Sequence, residues 1–244
     1  MPWKDTRPVE QRIKFIEARL SGEHSRALAL GKVSLNSEPF CIRVQLTGHM
    51  TMARVELLDP SEAEGRVKEV FDRVEAYYHM VPGLQKALCY LPETTDALWT
   101  LSMATAREGN IRTELKRVFF AVTAHEVECE YCVAAHMIAL FGKQWSRDEC
   151  IEVLLGKPSP RLSDKENAAV DFARAVARGP ATITNEQTDA LRAAGWTDAE
   201  IVEIVAAVAL MRYTTTVASA LDVPLERAMD GVGISCGVPL DQRG

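Results

Sequence analysis

At five candidate helix starts between residues 61 and 200 a Ser or Thr is followed three positions later by Glu or Gln: Ser61/Glu64, Ser146/Glu149, Ser163/Glu166, Thr184/Gln187 and Thr197/Glu200. That spacing lets two side chains satisfy two orphan amide donors at a helix start. Each box precedes apolar residues at helical spacing. Val67, Val70, Phe71 and Val74 make one such stripe, Ile151, Leu154 and Leu155 a second, and Ala169, Phe172, Ala173 and Val176 a third. Glycines at 109, 142, 156, 179 and 195 stand where a chain can leave a helix through a left-handed residue. No alternating strand pattern of useful length accompanies them. The expectation is an all-α domain over residues 53–230, followed by a polar, Gly-rich tail, 231–244.

Residues 1–49 read differently. They hold eight Lys/Arg and five Asp/Glu, net +3, whereas the whole chain is net -6. One short helical pattern, Val9 to Leu20, cannot bury a core by itself. Residues 1–25 resemble the opening of integrase-type transposases, and the resemblance stops before a DNA-reading helix pair is complete. We therefore expect a vestigial or mis-started leader, with Met50 and Met52 as alternative starts. The acidic balance gives no basic field for nucleic acid or anionic lipid. The longest uninterrupted apolar run, Ile204 to Met211, is eight residues, against the roughly 20 that span a bilayer, so no transmembrane helix is expected. The charged N-terminus does not read as a secretory signal, which makes the cytoplasm the expected location. A weak echo between Glu114–Leu140 and Glu200–Leu221 suggests a helical hairpin used twice. The segment Ile201–Leu210, polar only at Glu203, should be buried on most sides, partly by another subunit of a homo-oligomer.

Chemistry concentrates in one stretch, Ala124-His-Glu-Val-Glu-Cys-Glu-Tyr-Cys-Val-Ala-Ala-His136. If Cys129 opens a helix, Cys129 and Cys132 are neighbours at i, i+3 and form a reversible two-electron couple. His136 lies one turn beyond Cys132, a rise of about 6 Å, but about 10.5 Å beyond Cys129. Geometry therefore pairs His136 with Cys132 as a base that takes the thiol proton. Helix N-terminal amides favour thiolate most at Cys129. In thioredoxin-like motifs the first cysteine attacks, so the roles stay open on residue type, and the histidine tips the choice to Cys132. A rival reading is half a zinc site completed by His125, Glu126 or Glu128; another is a pair of inert core cysteines. Cys41, Cys89, Cys150 and Cys236 stand singly as core or surface residues. His79 and His125 are expected at helix ends or the surface, His24 and His49 fall in the leader, and the Trp and Met residues read as core.

Cys129-Glu-Tyr-Cys-Val-Ala-Ala-His136 resembles the active-site segment of the alkylhydroperoxidase D-like branch of the carboxymuconolactone decarboxylase family, whose signature is Cys-x-Tyr-Cys followed by His. Met80-Val-Pro-Gly-Leu84 and Leu191 to Ile204 are similar to two further blocks of that family, so the resemblance covers about residues 53–226. It implies an all-helical, oligomer-forming enzyme that reduces hydroperoxides with a dithiol and no cofactor or metal. Cys132 would be peroxidatic, Cys129 resolving and His136 the activating base, with a lipoyl group or thioredoxin-like protein as external dithiol reductant. The family often places a relay glutamate twelve residues before the first cysteine, where this chain has Arg117. Glu126 is the expected substitute, with Glu114 as the alternative. The cysteine pair argues against lactone decarboxylation. A rival of another class is a redox-sensing, DNA-associated protein that docks through its basic leader.

Overall fold

The computed structural model describes residues 53–229 and Val232, which are mostly helical with no strand among them. The leader, the transposase-like residues 1–25, His24, Cys41, His49, Cys236 and the rest of the tail lie outside the described residues. The α-helices are α1 (Gly65–Tyr78), α2 (Gly83–Ala87), α3 (Pro92–Arg107), α4 (Thr113–Glu126), α5 (Glu130–Phe141), α6 (Arg147–Leu154), α7 (Asp164–Arg178), α8 (Asn185–Ala193) and α9 (Asp198–Leu221), with 3-10 turns at Pro60–Glu62, Pro180–Thr182 and Arg227–Met229.

Four of the five sequence boxes are reciprocal caps in the structure, at the starts of α6, α7, α8 and α9. The fifth is not. Asp59 instead caps the short 3-10 turn through the Ser61 amide, and α1 starts at Gly65 with no side-chain cap. Asp59 accepts from both the Ser61 amide and the Ser61 hydroxyl, so the amide that Glu64 would have served, and the hydroxyl that would have capped the helix, are already engaged.

Helix α4 is the centre of the packing. Leu115, Val118, Phe119 and Val122 are all but sealed from solvent, and α4 packs against α5, α7 and α9. Each such side chain is worth roughly 1.5–3 kcal/mol of transfer free energy, so α4 cannot shift without dismantling the core. Two charged groups are built into this packing. Lys116, 2% exposed, lies 3.2 Å from the Glu203 carboxylate and donates to the Glu108 carbonyl. Glu203 also accepts from the Asn110 and Ile111 amides at 2.7 and 3.2 Å. Gly109 sits between these groups with φ +95°, and a Cβ there would lie 2.4 Å from the Glu203 carboxylate. Only glycine fits both the backbone and the space.

Two sequence expectations change. The two stretches that echo each other take different forms: Glu114–Leu140 breaks at Val127–Cys129 into α4 and α5, whereas α9 runs 24 residues without interruption. Glu128, left-handed at φ 58°, makes the difference by ending α4. Helix α9 is also long and apolar enough, by length and composition, to cross a membrane, because its few charges interrupt the apolar run without removing its apolar character. Half of that stretch is buried, packed on α3, α4, α5 and α7. Within Ile201–Leu210 the single chain leaves Val202 and Val205 exposed.

Candidate functional site

Helix α4 ends by turning back on itself. The Glu128 amide donates to the His125 carbonyl and the Cys129 amide to the Ala124 carbonyl, at 3.1 and 3.0 Å. A non-glycine residue in the left-handed region is uncommon and mildly strained. Its consequence is that Cys129 becomes the N-cap of α5, as the sequence suggested, with Cys132 inside the first turn.

The two cysteines are free thiols, both buried. The Cys132 thiol hydrogen-bonded to the Cys129 sulfur is the main reason that Cys129 ionises easily; burial opposes this, and the Ser219 hydroxyl and Cys132 amide support it, leaving Cys129 with a pKa of about 7. Thiolate character therefore falls on Cys129. Cys150, by contrast, is pushed up to about 12 by burial, and burial also raises half-buried Cys89. Both are inert by that measure.

Cys132 and His136 share the wall of a cavity of about 460 Å³ between α1, α3, α4, α5 and α9. The His136 ring rests 5.0 Å from that of Phe120, and its Nδ1 has no hydrogen-bond partner. Burial, assisted by the positive charge of Arg117, lowers its pKa to about 3. A neutral imidazole of that kind can donate or accept a hydrogen bond, but it is too weak a base to hold a thiol proton near neutral pH.

Glu126 is not at this site. Its carboxylate is held by Arg174 and, at 2.6 Å, by Arg178, beside a separate small polar pocket that includes His125 and Asp171. Burial alone would raise its pKa; Arg178 and Arg174 outweigh that and lower it. The expectation that Glu126 lies by the cysteines fails because α7 supplies two guanidinium groups that a reading of α4 and α5 alone cannot see. Glu114 is also elsewhere, accepting from Trp145 Nε1 at 2.7 Å and pairing with Arg112 at 2.9 Å. Both histidines expected at helix ends or the surface are at helix ends: His125 is in the last turn of α4, where it is buried, and His79 ends α1 in the left-handed conformation. No three His, Cys, Asp or Glu side chains among the described residues gather as a metal ion requires, so the zinc reading finds no ligand set there.

The acid that does reach the cavity is Glu226, beyond the end of α9. Its Oε1 accepts from the Tyr131 hydroxyl at 2.7 Å and the Gly83 amide at 2.6 Å, while Oε2 is buried without a partner. Burial, then the Glu226 charge, keeps the Tyr131 phenol protonated well above its usual range. A Cβ on Gly83 would come 2.9 Å from Val223 and 3.3 Å from Glu226 Oε1, so the Met80–Leu84 block matters for close approach. Sequence reasoning missed Glu226 because a lone acid after a helix end has no spacing signal. Arg117, where the relay acid was sought, also lines the cavity, which makes that position cationic. Part of the Trp and Met set that read as core is cavity wall as well: Trp99, Met80, Met103, Met211 and Met229.

This is the fold of alkylhydroperoxidase D-like, peroxidase-related proteins. The chain is similar to an uncharacterized peroxidase-related protein with an alkylhydroperoxidase AhpD core from Ralstonia eutropha JMP134, with a TM-score of 0.67 and 18% identity over 75% of this chain and 96% of that one. A peroxidase-related protein from Silicibacter sp. TM1040 gives 0.62 and 21% over 72% and 94%. The debrominase Bmp8, in complex with 2,3,4-tribromopyrrole, gives 0.63 and 22% over 77% and 96%, so the fold is one that carries enzymes. No family model matches the chain. A curated relative, the uncharacterized protein YnjA of Escherichia coli (strain K12), is 30% identical over 101 residues, 40% of this chain and 53% of its own length. The chain thus spans about half the length of the curated relative it matches.

Proposed function

We propose that the protein is a thiol-dependent hydroperoxide reductase that cycles Cys129 and Cys132 between dithiol and disulfide. The observation that carries this is the Cys132 thiol on the cavity wall, hydrogen-bonded to a Cys129 sulfur whose pKa is about 7. The resting pair shares one proton. Moving it from Cys132 to Cys129 leaves a Cys132 thiolate facing the cavity, which attacks the distal peroxide oxygen. The O–O bond breaks, Cys132 becomes a sulfenic acid, and the departing alkoxide takes the proton from Cys129. The Cys129 thiolate then attacks the Cys132 sulfur, forming the disulfide and expelling hydroxide, which solvent protonates. Two thiols and one hydroperoxide give one disulfide, one alcohol and one water. In this scheme Cys129 is both the first proton acceptor and the resolving nucleophile, and neutral His136 orients the peroxide by hydrogen bonding. Regeneration falls to an external dithiol, a lipoyl group or a thioredoxin-like protein, and the working form is a cytoplasmic homo-oligomer.

The likeness to a debrominase and the aromatic cavity wall favour a second reading, in which the same two electrons replace an aryl C–Br bond with C–H and release bromide. Thiol titration separates them. Stoichiometric alkyl hydroperoxide should remove two thiols per chain and produce the alcohol. Thiols indifferent to peroxide that are lost with a bromoarene, as bromide appears, would overturn the first reading in favour of the second.

A further inference from the structure

The cavity around Cys132 has an apolar body and a cation, Arg117, whose hydrogen-bond partner there is the neutral phenol of Tyr78 rather than an anion. Tyr78, Trp99, Phe120, Met103, Met211 and Met229 supply aromatic and thioether surface. Arg117 lies half-buried in the same wall, with its guanidinium 5.7 Å from the Phe120 ring centroid. By contrast, buried Arg174 of α7 holds Glu126 and the Val153 and Leu154 carbonyls, and half-buried Arg161, in the turn before α7, holds Glu149 and the Lys143 and Gln144 carbonyls. Among the described residues no carboxylate lies within ion-pair distance of Arg117, and its guanidinium still has donors to spare beyond the one given to Tyr78. The cavity's own acid, Glu226, is turned to Tyr131 and Gly83 instead. A guanidinium kept beside apolar surface without an anion is poised to receive one, because a charge-assisted hydrogen bond in a desolvated pocket is worth more than its counterpart in water.

We infer that the substrate is an amphipathic monoacid, a hydroperoxide with an apolar body and one carboxylate that docks on Arg117. This rests on the peroxidase reading and adds a specificity determinant to it. Arg117 would hold the acid while the apolar body fills the cavity and brings the peroxide to Cys132. A four-methionine lining suits an aliphatic chain of variable bend, since thioether side chains repack cheaply. Hydrogen peroxide, which fills none of this surface, would be a poor substrate.

The test is binding of an inert mimic, so that it does not depend on turnover. Decanoate and 1-decanol are titrated calorimetrically into the full chain, its Cys132→Ser variant, Arg117→Gln and Arg117→Lys, with thermal melts confirming that each is folded. Wild type and Cys132→Ser should bind decanoate about tenfold more tightly than decanol, a difference of about 1.4 kcal/mol. Arg117→Gln should reduce that ratio to near one, and Arg117→Lys should keep most of it. Equal binding of the two ligands by wild type, an unchanged ratio in Arg117→Gln, or no binding of either would overturn the inference. Decanoate preference in a protein that does not reduce peroxides would refute the peroxidase reading alone. A working peroxidase indifferent to the carboxylate would refute only the inference.

Discussion

Helix α4 presents Arg117 and Phe120 to the cavity and Lys116 and Glu126 to its packing partners, and the charges on the two sides are matched differently. On the packing side, Lys116 is matched by Glu203 and a carbonyl, and Glu126 by two arginines. Around the cavity, His136 Nδ1 and Glu226 Oε2 are buried without partners. The packing-side charges are paired with opposite charges even though single atoms there, Thr123 Oγ1 and Arg174 Nε, go unpartnered, because an unsatisfied buried charge costs more than an unsatisfied neutral group, which costs about 1–3 kcal/mol. Groups left unsatisfied around a space that a ligand could fill mark where the molecule gives up stability for chemistry.

The largest effect expected from this contrast is at the cysteines. Cys132→Ser should abolish reaction with hydroperoxide, whereas Cys129→Ser should still react once and accumulate a sulfenic acid on Cys132, seen by mass spectrometry after trapping with a 1,3-dione. A Cys129→Ser protein that turns over normally would remove the distinction between the two sulfurs. On the packing side, Glu126→Gln should lower unfolding free energy by roughly 3 kcal/mol, since it strands buried Arg174, while the single-turnover rate with peroxide stays within about twofold of wild type. A large rate loss without loss of stability in urea titrations would return Glu126 to the site. The pair should also weaken in acid: with the Glu126 pKa lowered in the folded state, its stabilisation is present above the usual carboxylate pKa and lost as pH falls through the lowered one.

A smaller penalty, about 1–3 kcal/mol in the same measurement, is expected for Gly109→Ala, from a left-handed backbone and a Cβ pressed on Glu203. Smallest of all is the pH behaviour of His136→Ala. Thiolate at Cys129 forms as pH rises through about 7, so the rate of reaction with peroxide should rise through that midpoint and level off above it. Stability of the dithiol form should increase over the same window, from about 7 towards the ordinary value of 9.0, because the folded state binds the proton less tightly than the unfolded chain. His136→Ala should slow the reaction yet move the midpoint by less than about half a unit, since an imidazole with a pKa of about 3 carries no proton there. A midpoint that climbs to the free-thiol range in His136→Ala would restore the histidine as the activating base.

What could be read from the sequence was local. Capping boxes, helical stripes and glycine stops are interactions within about four residues, so the all-α architecture and the placing of Cys129 at a helix start were legible without any fold. The one missed box, Ser61/Glu64, failed to a competitor only two residues away, Asp59. The i, i+3 and i+4 relations of Cys129, Cys132 and His136 were legible for the same reason. Tertiary structure decided everything that depends on which helix faces which. It drew Glu126 to Arg174 and Arg178, 48 and 52 positions away in the chain; it brought Glu226 to Tyr131 across 95; and it sank His136 beside Arg117 until it lost its basicity. Charge and proton affinity at a buried group are set by dielectric and by neighbours within a few ångströms, and for these side chains the neighbours come from distant parts of the chain.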